Sequence, residues 1–174
     1  MKRRSLMSSS MVDVFQSFLK ESINGEVVIV NTNFGMEVYY CSDHDYSNFI
    51  RESILLYTIN LVDHTKLKFR NNLDKEAVYK SFYEALETFV QYPQIFLAYT
   101  KKFIHLRKKN KSSRYVMPIL SEYFERIFNT LAKAGKIPHY NTIEKAKSKS
   151  EYSKNEGNAI EDLISEILLK KHSN

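Results

Sequence analysis

Glycine and proline are scarce here: four glycines and three prolines stand in a chain of 174 residues, roughly a third of average usage. Gly25, Gly35, Gly135 and Gly157 are isolated from one another. Phosphate loops, dinucleotide fingerprints and nucleophile elbows need glycines at close spacing, so those chemistries lose their backbone geometry. Cysteine is scarcer still. Cys41 has no second cysteine to pair with, which excludes a disulfide scaffold and points to a reducing compartment. No apolar run approaches the roughly 20 residues that a bilayer span requires. The basic start Met1-Lys2-Arg3-Arg4 runs into the serine-rich stretch from Ser5 to Ser10, which breaks the apolar core of a signal peptide. The expectation is a soluble, cytoplasmic protein.

What the chain has is apolar and aromatic bulk. Hydrophobic residues make up 43% of it, with 12 tyrosines and 11 phenylalanines, far more than solvating, disordered chains carry. The length suits one domain that holds a core without disulfides or metal. Poverty in glycine beside abundant Leu, Ile, Phe, Lys and Glu favours helix.

The local patterns predict a mainly α, single-domain bundle of five to six helices with one N-terminal β-hairpin. Residues 1–10 read as a basic flexible leader, and 11–140 as the helical domain. Ser10 and Asp13 mark a helix start, with Val14, Phe15, Phe18 and Leu19 as its apolar face, ending before Asn24-Gly25. Near 26–41 the period changes. Glu26-Val27-Val28-Ile29-Val30 and Met36-Glu37-Val38-Tyr39-Tyr40-Cys41 flank a turn-rich stretch ending at Gly35, a hairpin signal. Further helices follow a cap at Asp43 or Asp45 (carrying Phe49, Ile50, Ile54, Tyr57 and Leu61), a break at Asn71 to Asp74, and Pro93. A fifth starts near Val116 or Met117 and stops at Gly135. Residues 141–157 read as a hydrophilic linker or weak helix. The segment 158–174 reads as an amphipathic helix whose Ile160, Leu163, Ile164, Ile167 and Leu168 form a partner-binding stripe.

Charge is uneven. Residues 21–100 carry six basic and eleven acidic groups, whereas residues 101–140 carry ten basic and two acidic. Most of that excess lies in Lys101, Lys102, Arg107, Lys108, Lys109, Lys111 and Arg114. A basic helix end of this kind suits nucleic acid, and it also complements its own helix dipole. Tyr99 and Phe103, interleaved with lysine, read as core residues or as rings that stack on bases. A small-ligand pocket between helices stays open as well.

Catalytic signals are thin. Cys41 and His44 have the spacing of half a zinc site, with no second Cys/His pair. Asp43 and Asp45 beside Cys41 work against a thiolate nucleophile. Glu161 and Asp162 fit the first turn of the last helix, where negative charge is stabilising anyway. The reading is a non-enzyme with no catalytic residues, no metal and no cofactor.

The stretch from Leu73 to Tyr140 resembles the ligand-binding half of TetR-type transcriptional regulators. A helix ends at Tyr92-Pro93, a second runs to a polar break, and a long third closes on Gly135-Lys136-Ile137-Pro138. That resemblance implies transcription regulation. Tyr39-Tyr40 stands where the family's tyrosine-aromatic motif would fall. Glu26 to Val38 reads as a hairpin instead of a helix-turn-helix, so no residue role carries over. The functional expectation is a small intracellular regulatory protein that binds nucleic acid through the basic helix end and loop. The alternative is a protein-interaction adaptor or inhibitor that uses the last helix or the hairpin edge. A homodimer stays open.

Overall fold

The first helix, α1 (Ser9–Ile23), starts two residues earlier than the sequence marks suggested. Ser8, not Ser10, is its N-cap, and its Oγ accepts from the Met11 N–H at 3.3 Å. Val12, Phe15, Leu19 and Ile23 form the buried face, while Val14 is 61% exposed and belongs to the solvent side. The core reaches further back than the expected leader, because Met7 is buried and its carbonyl accepts from Asn31 Nδ2 at 2.7 Å. Asn24 ends α1 in the left-handed conformation (φ 50). Gly25 then passes so close to the Cys41 carbonyl that a Cβ would meet its oxygen at 3.0 Å. The computed structural model of the protein describes residues 5–59 and 67–149.

β1 (Val27–Asn31) and β2 (Met36–Tyr40) form the expected antiparallel hairpin, in a register that pairs Val28 with Tyr39 and Val30 with Glu37. Strand side chains alternate between faces, and here both faces of β1 are buried. Val27 and Ile29 join one apolar cluster with α1 and with Ile50 and Ile54 of α2 (Ser47–Tyr57). Val28 and Val30 join another, with the later helices. The hairpin therefore lies as a middle layer between two helical layers.

That second layer holds α3 (Lys75–Val90), α4 (Pro93–Lys109) and α5 (Val116–Lys133). Asp74 caps α3 by accepting from the Ala77 N–H at 2.8 Å, and Pro93 opens α4 as expected. Phe103 stacks on Phe124, with ring centroids 4.6 Å apart, at the centre of this core. Gly135 (φ 66) closes α5, with N–H groups of Gly135 and Lys136 returning to the Ala132 and Leu131 carbonyls. Residues 140–149 then form helix α6, the second of the two readings, linker or weak helix, that the sequence left open. Its Ile143 is fully buried, and Lys147 lies over the Phe128 ring while pairing with Glu125 at 2.6 Å. One apolar residue and one amphipathic lysine are enough to seat a segment that composition alone made look solvated. The architecture is mainly helical with an N-terminal two-stranded hairpin.

Candidate functional site

The basic segment divides into residues that hold the fold and residues that face solvent. Burial of Phe96, Tyr99, Phe103 and Leu106 sets the rotation of α4 and turns Lys101, His105 and Lys109 outward. Lys102, Arg107 and Lys108 are half-buried, and Lys111 and Arg114 are exposed in the loop that follows. Two of the seven expected binding residues are engaged internally. Arg107 pairs with Glu125 at 3.2 Å, and Lys109 with Asp13 of α1. No carboxylate among the described residues lies within ion-pair distance of the other five, Lys101, Lys102, Lys108, Lys111 and Arg114.

The loop carrying those cations is tied down. Asn110 is buried, donates to the Leu106 carbonyl at 2.9 Å and accepts from Gln16 of α1 at 3.2 Å. Glu26, just ahead of β1, accepts from Ser113 Oγ at 2.6 Å, from the Tyr115 and Val116 N–H groups at 3.0 and 2.9 Å, and from the Arg114 N–H. Burial pulls the Glu26 carboxyl up, but these donors together outweigh it and hold the group at about 2. The free N–H groups at the start of α5, which would otherwise receive an external anion, are thus occupied by a protein carboxylate. An anion at this end of the molecule meets side chains, not a backbone cradle.

Aromatic stacking on bases by Tyr99 and Phe103 is overturned, since they are 3% and 1% exposed. Their helix is amphipathic, and the lysines between them occupy its opposite side. The ring the sequence did not single out is Tyr115, which is 59% exposed beside Arg114. Its position between a polar break and a helix start was the available signal.

A second polar cluster lies between the hairpin and α4. Tyr99 donates to Glu37 Oε2 at 2.9 Å. Burial raises the Glu37 carboxyl, opposed by hydrogen bonds from Tyr99 and Tyr39. Burial, followed by the Glu37 charge, drives both phenols well above their ordinary value. At neutral pH those phenols are fixed donors. Cys41 and His44 are both exposed, and among the described residues no three His, Cys, Asp or Glu side chains group as metal ligands. The expected partner-binding stripe Ile160, Leu163, Ile164, Ile167 and Leu168 lies outside the described residues, as do Lys2 to Arg4. Among the described residues no helix is long and apolar enough to cross a membrane.

No family model, no curated protein and no solved structure matches this chain. The likeness to TetR-type regulators gains no support from these comparisons. A β-hairpin also stands where that family's helix-turn-helix would be.

Proposed function

We propose that the chain is a small intracellular, non-enzymatic regulatory protein that binds nucleic acid through the end of α4 and the loop after it. One observation carries this reading: Lys101, Lys102, Lys108, Lys111 and Arg114 lie along the second half of α4 and the loop after it without a carboxylate partner among the described residues. Cations left without internal partners can release counterions from a phosphate backbone, which drives sequence-independent affinity. The exposed Tyr115 ring, next to Arg114, offers a face on which an unpaired base can stack. Arg107 and Lys109 are assigned to the fold instead, because each already holds a carboxylate. Regulation of transcription in the cytoplasm is the setting that suits binding of this kind.

The test is a combined Lys101, Lys108, Lys111 and Arg114 to glutamate variant, titrated with a single-stranded 20-mer in a gel shift. The parent should bind with an affinity that falls steeply with salt, and the variant should lose the shift with its melting temperature preserved. An unchanged shift would sink the reading.

A further inference from the structure

β2 exposes an edge that the described residues leave unpaired. The Thr32 N–H donates to the Gly35 carbonyl at 2.9 Å and the Cys41 N–H to the Glu26 carbonyl at 3.3 Å. With the register known, hydrogen-bonded and non-bonded pairs alternate. The bonded pairs between those two are therefore Val28 with Tyr39 and Val30 with Glu37. Met36, Val38 and Tyr40 consequently aim their N–H and C=O groups away from β1. Among the described residues no backbone group bonds them from that side.

Open edges are commonly blunted with lysine, proline or a bulge. β2 reads Met-Glu-Val-Tyr-Tyr and has none of these. It borders two adjoining hollows, of about 310 and 340 Å³, that share Val38, Tyr39, Tyr40, Asn72 and Val78 in their walls. The hollow at the start of β2 includes Arg51 and Arg70 together with Glu37, and the hollow beyond its end includes Asp43, Asp45 and Asp74 together with Lys75. Arg70 is paired with Glu84, whereas no carboxylate among the described residues pairs with Arg51. At the other end, hydrogen bonds from Ser47 hold Asp45 below its ordinary value and keep it ionised. The groove thus leans cationic at one end, two arginines against Glu37, and anionic at the other, three aspartates against Lys75, with strand donors and acceptors between.

We infer that this groove binds an extended peptide as an added strand, with a basic residue at its amino end and an acidic residue at its carboxyl end. Antiparallel pairing, the more stable arrangement per residue, places the peptide's first residue beside Asp43 and Asp74 and its last beside Arg51. β2 is five residues long, so at roughly 3.3 Å per residue the two charges stand about six residues apart. Main-chain bonds then supply affinity, and the end charges set direction and selectivity. This inference does not rest on the basic face of α4, although Tyr115, the ring next to that face, also lines the hollow beyond the end of β2.

The probe is a fluorescently labelled peptide, Lys-Val-Thr-Val-Thr-Val-Glu, followed by anisotropy against the full chain, with amide chemical shifts as the site readout. Binding should move the amide signals of Met36, Val38 and Tyr40. N-methylation of alternate peptide amides should weaken binding about tenfold or more, since buried donors and acceptors are left unmet. Val38→Pro deletes an outward N–H without touching the ladder to β1 and should weaken binding similarly. Arg51→Glu, on the exposed side of α2, should reverse the preference between this peptide and one ending in lysine by about three- to fivefold. It keeps the test decisive if the proline variant misfolds. Absence of binding, or indifference to both N-methylation and Arg51→Glu, would overturn the inference. A homodimer of the parent chain that Val38→Pro dissociates would also overturn it, assigning the edge to a second copy.

Discussion

Glu26 caps a helix that begins ninety residues later: the Val116 N–H donates to Glu26 Oε2 at 2.9 Å. Tyr115, the residue at the N-cap position of α5, provides no side-chain cap. Locally Ser113 Oγ accepts from the Met117 N–H at 2.8 Å, and Glu26, just ahead of the hairpin, takes the Tyr115 and Val116 N–H groups with a charge suited to the positive end of the helix dipole. The same contact fixes the loop that presents Lys111 and Arg114.

Glu26→Gln should destabilise the protein by about 1–2 kcal/mol at pH 7, the usual cost of losing a good cap. The folded-state carboxyl is held at about 2, below its ordinary 4.5. The stabilisation is therefore complete above pH 4.5 and is lost as the pH falls toward 2. Urea titrations of parent and variant should converge across that window. A difference that persists at pH 2 would show that shape, not charge, makes the cap.

Glu37 should behave with the opposite sign. Burial raises its carboxyl above the ordinary 4.5, so ionisation costs stability, and the cost grows as the pH rises through the carboxylate range. Glu37→Gln keeps an acceptor for the Tyr99 hydroxyl. It should leave stability at pH 3 unchanged and raise it by about 1 kcal/mol at pH 7. Chemical denaturation at the two pH values checks this.

Thr100 is fully buried in α4, and its hydroxyl has no hydrogen-bond partner among the described residues. Thr100→Val replaces that hydroxyl with a methyl of similar shape. The melting free energy should rise by about 1 kcal/mol, since an unmet buried hydroxyl costs on that order. A loss of stability would show that the hydroxyl is satisfied in solution.

Ile143 tests whether α6 belongs to the fold. Its side chain is fully buried in the cluster with Phe124 and Phe128. Ile143→Ala should cost about 2–4 kcal/mol, as buried isoleucine truncations do. An exposed helix that merely trails the domain would lose a few tenths at most.

Most of the helices were legible because each repeats its own pattern within a turn or two. Phe96, Tyr99, Phe103 and Leu106 recur at helical spacing, Pro93 and Gly135 punctuate, and Asp74 caps its neighbours. The hairpin was legible for the same reason, since the β-branched run Val27 to Val30 breaks helical periodicity. α6 was legible only as one of two readings, linker or weak helix, because one buried isoleucine among lysines and serines makes too weak a pattern to decide between them. The candidate site was legible in outline only. A run of cations is plain in the sequence, but Arg107 and Lys109 spend their charge on Glu125 and on Asp13.

The scarcity of glycine and the apolar spacing, both local properties, were sufficient to determine a helical protein with one hairpin and to remove glycine-rich catalytic loops. Three matters were decided only by the tertiary structure: which carboxylate caps α5 and, among the described residues, which cations lack partners and which strand edge stays open. Each depends on groups far apart in the chain. Lys109 meets Asp13 across 96 positions and Tyr99 meets Glu37 across 62. Hydrogen bonds and ion pairs act over a few ångströms of space, and nothing in sequence spacing encodes that distance until the layers pack.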